Sequence, residues 1–135
     1  MPLRGLPHRV LAWGDPGAPK LFCVHGWMDV AASFQFLVDA FERDRYVIAH
    51  DLRGFGGSAW QPQGYWFADY LADLEALIDA YAPDERVDVC GHSLGGNVTM
   101  LYAGIRPDRV RRAISLDGFG IPMESDDDAP RKFAK

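Results

Sequence analysis

Four short apolar runs recur along the chain: "KLFCVHG" at 20–26, "RYVIAHD" at 45–51, "RVDVCGH" at 86–92 and "VRRAISLDG" at 110–118. Between them, apolar residues return every three or four positions. After Ser33, a candidate N-cap, they are Phe34, Leu37, Val38 and Phe41. Over 67–82 they are Tyr70, Leu74, Leu77, Ile78 and Tyr81, stopped by Pro83; over 94–106 they are Val98, Leu101, Tyr102 and Ile105, all expected inward. A further strand is expected over 8–15, closed by the turn-rich "GDPGAP". Strands that alternate with helices require long crossovers, and near-continuous apolar strands are covered on both faces. The pattern therefore predicts an α/β fold: a mostly parallel sheet flanked by helices.

At 135 residues the chain has the length of one domain. Its net charge of −5 speaks against nucleic acid as a partner, because phosphate binding needs a basic surface. Cys23 and Cys90 lie inside apolar runs and are expected to be buried thiols rather than a disulfide framework. No run has the length of a membrane span, and the first residues lack a signal-peptide core. A cytoplasmic location is the expectation, with no membrane span.

The chemistry concentrates in "VDVCGHSLGGN" at 87–97. Gly91-His92-Ser93-Leu94-Gly95 matches G-x-S-x-G, with an apolar strand before it and a helix after it. That is the placement of a nucleophile elbow, in which a sharp strand-to-helix turn lifts the serine hydroxyl clear of the sheet. The turn also sets Ser93 at a helix N-terminus, whose free N–H groups favour developing negative charge. The competing reading is a tight glycine turn with an incidental serine.

Acyl transfer needs two donors for its oxyanion. "VHGW" at 24–27 ends a neighbouring strand, so the candidate donors are the backbone N–H groups of Trp27 and Leu94. His25 is expected to hold this loop rather than act as a base. The next motif is "HDLRGFGGS" at 50–58. Taken in order, HG-W, D-x-R-G-x-G-x-S and G-H-S-x-G-G resemble the α/β-hydrolase superfamily, in particular its lipase/esterase-type, serine hydrolase-like members. The resemblance runs from about Val10 to Gly120. It implies that Ser93 is the nucleophile, that Asp51 and Arg53 brace loops, and that no metal or other cofactor is needed. The substrate it implies is a small molecule carrying an ester or related carbonyl.

A serine hydroxyl is a weak nucleophile and needs a base held by a carboxylate. In this superfamily the order is Ser, then acid, then His. All four histidines, His8, His25, His50 and His92, precede Ser93. Asp117, at the end of what would be the family's sixth strand, is a candidate acid; a loop-capping role is the alternative. Its position matches the haloalkane dehalogenase branch, whose aspartate nucleophile Ser93 departs from. The acidic run at 124–128 reads as a solvated tail. The resemblance therefore predicts that residues 1–135 form the N-terminal part of a single α/β-hydrolase domain, truncated after about the sixth strand. Such a chain would lack the catalytic histidine, leave an uncovered sheet edge, dissolve poorly and be nearly inactive. A ligand-binding or inactive protein on the same scaffold is the alternative. Phe34, Phe36, Trp60, Tyr65, Trp66 and Phe67 sketch an aromatic-walled pocket, though core packing would use them equally well.

Overall fold

The computed structural model describes residues 1–118, so the acidic run at 124–128 lies outside the described residues. The chain opens with a two-stranded antiparallel hairpin, β1 (Pro2–Leu3) and β2 (Leu6–Pro7), which the sequence pattern does not announce. Then follow β3 (Val10–Trp13), β4 (Lys20–Val24), a 3₁₀ turn (Ala31–Phe34) running into α1 (Gln35–Asp39), β5 (Tyr46–His50), α2 (Phe67–Tyr81), β6 (Val87–His92), α3 (Leu94–Ile105) and β7 (Val110–Leu116). The larger sheet has the order β3-β5-β4-β6-β7. Only β3 runs antiparallel within it. Parallel pairing thus holds the four central and downstream strands, as the apolar runs require.

The period-2 alternation of the strands divides the core into two layers. Phe22, Val24, Ile48, Val87 and Val89 pack with Tyr70, Leu74, Leu77 and Ile78 of α2 and with Val98 and Tyr102 of α3. On the opposite face Leu21, Cys23, Val47, Ala49 and Cys90 pack with Ala31, Phe34 and the residues of α1. Cys23 and Cys90 are in register across β4 and β6, free and buried. Their mutual contact, and then burial, hold the Cys23 thiol well above its ordinary pKa, so it stays protonated.

Two expectations are corrected. Leu101 and Ile105 do not face inward: they are 45% and 62% exposed, and Val98 with Tyr102 carries the contact. Because α3 is apolar nearly all round, periodicity alone cannot choose its buried stripe. Ser33 does not cap α1. It sits inside the 3₁₀ turn, where its hydroxyl donates to Asp29 and to the carbonyl of Val30. Of the aromatic residues that sketch a pocket, Phe34 takes the core-packing alternative, being buried in the core, and Phe67 packs edge-on against Tyr70 at 6.4 Å.

Three carboxylates are buried among the described residues, Asp51, Asp73 and Asp88, and the last two are paired closely with cations from distant segments. Asp88 accepts from Arg45 at 3.0 Å and from Arg111 at 2.8 Å through two nitrogens. Asp73 of α2 receives both prongs of Arg53 at 2.6 Å, with His8 Nε2 3.3 Å away. Burying a carboxylate is tolerable only with such partners.

Candidate active site

The C-terminal ends of the parallel strands are where open α/β sheets bind ligands. Met28, Ser93 and Asp117 lie just past the ends of β4, β6 and β7, with φ of 54°, 51° and 58°. Among the described residues Arg4 is the only other non-glycine with positive φ. Backbone strain is therefore gathered on one edge of the sheet.

Ser93 joins β6 to α3 with φ 51° and ψ −115°. Its hydroxyl makes no capping bond to α3. An ordinary N-cap serine adopts extended backbone and spends its oxygen on a helix amide; this one does neither. The flanking glycines are demanded by close approach. A Cβ on Gly91 would collide with the carbonyl of Gly95, and a Cβ on Gly95 with the carbonyls of Val24 and His25. The pattern of small residues around the serine thus follows from the packing of β4 against the start of α3.

Leu94 begins α3, so its amide is one of the helix's unpaired N-terminal donors. Trp27 follows Gly26, whose backbone passes close to the serine: a Cβ on Gly26 would stand 3.2 Å from Ser93 Cβ and 3.0 Å from His92 Nδ1. The two candidate oxyanion donors therefore come from segments that meet at Ser93. His25 fixes the first of them. Its Nδ1–H donates to the Gly26 carbonyl at 2.7 Å, and its Nε2 accepts from the Leu52 amide at 2.8 Å. Both ring nitrogens are engaged, which requires the neutral ring, and burial lowers its pKa further. This is a loop brace.

Asp51 braces the same region: its carboxylate accepts from the amides of Ala31 at 2.7 Å and Gly57 at 2.8 Å. Arg53 is turned inward to Asp73, away from solvent. His50 is fully buried, with neither ring nitrogen hydrogen-bonded, and burial, assisted by His8, pushes its pKa down to about 3. His8 donates from Nδ1 to the Leu6 carbonyl at 2.8 Å, within the N-terminal hairpin.

Asp117 is exposed at the end of β7. Leu116 pairs with His92 in register, so Asp117 and Ser93 are the next residues out of adjacent strands. One contact was not legible from the motifs. The ring of Phe55, in the loop after β5, meets Trp27 edge-on at 5.2 Å and His25 at 5.7 Å. The aromatic residue inside "RGFGGS" was the available signal.

A family model described as "alpha/beta hydrolase fold" matches residues 19–134. The chain belongs to the α/β-hydrolase fold family. Among the relatives of this hydrolase-fold chain, a "Serine hydrolase-like protein" of Danio rerio is 34% identical over 118 residues, covering 85% of this chain and 36% of its own length. A "Serine hydrolase-like protein" of Homo sapiens is 32% identical over 118 residues, covering 86% of this chain and 58% of its own length. A solved structure of a hypothetical protein from Pseudomonas aeruginosa PAO1 superposes with a TM-score of 0.87 at 30% identity, over 99% of this chain and 48% of that one. The chain thus spans between about a third and three-fifths of the length of these relatives. Among its described residues, no helix is long and apolar enough to cross a membrane.

Proposed function

We propose that this chain carries the nucleophile and oxyanion half of a serine hydrolase acting on an ester or related carbonyl substrate. The observation that carries the reading is the backbone of Ser93, strained to φ 51° between β6 and α3 while its hydroxyl leaves the helix uncapped. A strained serine whose oxygen leaves the following helix uncapped is expected where that oxygen reacts. Its relatives named as serine hydrolases support the same reading.

In this reading Ser93 Oγ attacks the carbonyl carbon, and the amides of Trp27 and Leu94 receive the charge that develops on the carbonyl oxygen. The Ser93 proton needs an acceptor. His25 has both nitrogens engaged, His50 is buried and unpaired, and His8 belongs to the hairpin. His92 stands directly before Ser93 in the turn, and none of the four histidines follows Ser93, where this fold's chain order places its base, so in this reading none of the four is the base. The register that makes Asp117 the next residue out of the strand paired with β6 supports reading it as the carboxylate that orients the base.

Incubating the chain with a fluorophosphonate and mapping the adduct by mass spectrometry tests the proposal. Slow phosphonylation confined to Ser93 is expected, with p-nitrophenyl ester turnover far below that of an intact esterase. Ligand binding with no adduct would favour a non-enzymatic scaffold and reject the nucleophile.

A further inference from the structure

We infer that Phe55 is the positioning residue for the oxyanion amide of Trp27, an inference that rests on the reading of Ser93 given above. The amide in question lies on a short span, His25-Gly26-Trp27-Met28, that leaves the end of β4. Gly26 has no side chain with which to anchor itself, and its backbone passes over Ser93. The position of the span is therefore set by its flanks. On one flank His25 is tied by hydrogen bonds to the Gly26 carbonyl and the Leu52 amide. On the other, the indole of Trp27 is 65% exposed, so core packing does not hold it.

One ring reaches both flanks. Phe55 meets Trp27 at 5.2 Å and an interplanar angle of 77°, and His25 at 5.7 Å and 78°. Both are edge-to-face arrangements, in which the positive rim of one ring meets the negative face of the other. Phe55 is itself fixed: its amide donates to Leu52 at 2.9 Å, and its carbonyl accepts from Ser58 at 3.0 Å. Two residues on, the Gly57 amide is held by Asp51, whose other oxygen holds Ala31. The loop after β5 is thus a rigid arm, and Phe55 is the point where it presses on the oxyanion span. An oxyanion donor works only when it stands where the charge will develop, so a span fixed in advance binds that charge without reorganising.

The role separates from mere packing because leucine fills much of the same volume but offers no aromatic edge. The rate of Ser93 phosphonylation by a fluorophosphonate is measured for the parent chain, Phe55→Leu and Phe55→Tyr. Phe55→Leu is expected to slow the maximal labelling rate about tenfold, while its urea midpoint stays close to the parent's. Phe55→Tyr restores the rate to within about twofold, since its ring keeps the edge. In protein labelled with 5-fluorotryptophan, the resonance lost in Trp27→Phe identifies Trp27, and that resonance shifts and sharpens in Phe55→Leu but not in Phe55→Tyr. A parent rate in Phe55→Leu, failure of Phe55→Tyr to rescue, or an unmoved Trp27 resonance overturns the inference alone. A parent chain that takes no label at Ser93 overturns it together with the reading of the nucleophile.

Discussion

The amide of Ser93 donates to the carbonyl of Leu116 at 2.8 Å, and this bond sets Asp117 beside the strand-to-helix turn at Ser93. The ladder between β6 and β7 runs in register as far as His92 and Leu116, then continues through this bond into the turn. Ser93 and Asp117 leave it side by side, both at positive φ. Aspartate tolerates the left-handed region better than most residues, because its short side chain can bond locally; serine has no such excuse. The strain at Ser93 is held in place by β7 on one side and by the Gly95 contact with β4 on the other.

Relieving the strain at Ser93 should stabilise the chain. Ser93→Gly removes the Cβ penalty at φ 51° and loses no helix cap, since the hydroxyl provides none. A gain of about 1 kcal/mol in urea unfolding is expected, together with complete loss of fluorophosphonate labelling. A loss of stability on this substitution would show that the serine side chain holds the turn together after all.

Two glycines in α3 should respond oppositely to the same change. At Gly95 a methyl group would strike the carbonyls of Val24 and His25, which are backbone and cannot swing aside. At Gly104 a Cβ would meet nothing within 4 Å. Gly95→Ala is therefore expected to cost upwards of about 3 kcal/mol, and Gly104→Ala to gain about 0.5–1 kcal/mol through helix propensity. Thermal melts of the two variants decide it, and equal shifts would contradict the packing of β4 against α3.

The imidazole of His50 gives the chain a defined acid lability. Its folded pKa of about 3 lies below its unfolded value of 6.5, so between those pH values the unfolded chain binds a proton that the folded chain refuses. Stability is fully present above pH 6.5 and falls as the pH drops toward 3, by an amount on the order of 3–5 kcal/mol over the whole window. Replacing His50 by Leu, which leaves no unpaired ring nitrogen, should flatten the slope of the urea midpoint between pH 7 and 4 without destabilising the chain at pH 7. An unchanged slope would assign the acid lability to other groups.

What could be read in advance divides along physical lines. The four parallel strands were legible because strands covered on both faces are nearly all apolar, and the elbow was legible because its glycines are forced by contacts local to one turn. The buried stripe of α3 was not, since Met100, Leu101 and Ile105 are as apolar as Val98 and Tyr102 and only the sheet chooses between them. The hairpin β1–β2 was invisible: two-residue strands containing Pro2 and Pro7 carry no period. Nothing in the local pattern marks Asp73 and Asp88 as buried, because their arginines lie 20 or more residues away in sequence. The adjacency of Asp117 to Ser93 depended in the same way on which strands pair. Phe55 stands inside a glycine-rich motif, and its partners Trp27 and His25 lie on a different loop.

The last prediction concerns that buried charge on α2. Asp73 binds Arg53 through two bonds of 2.6 Å, lies 3.3 Å from His8 Nε2 and 3.6 Å from Arg4 Nη1, and so ties the N-terminal hairpin and the loop after β5 to one helix. Burial opposes the ionised form, but the two hydrogen bonds from Arg53 and the close approach of His8 outweigh it and bring the carboxyl down to about 2. A folded pKa below the unfolded 3.8 means stability that is present above pH 3.8 and is lost as the pH falls through 2. Asp73→Asn leaves the Arg53 guanidinium buried with only Asp69, 3.3 Å from Nη1, as a charged partner. A cost of about 3 kcal/mol is expected from that variant, with faster amide hydrogen exchange over residues 1–8 as the hairpin loosens. The double variant Asp73→Leu/Arg53→Met removes both charges and fills the space, so it should recover most of the loss. If the double variant is as unstable as Asp73→Asn, the pair contributes through its hydrogen bonds to the rest of the cluster rather than by neutralising a buried charge.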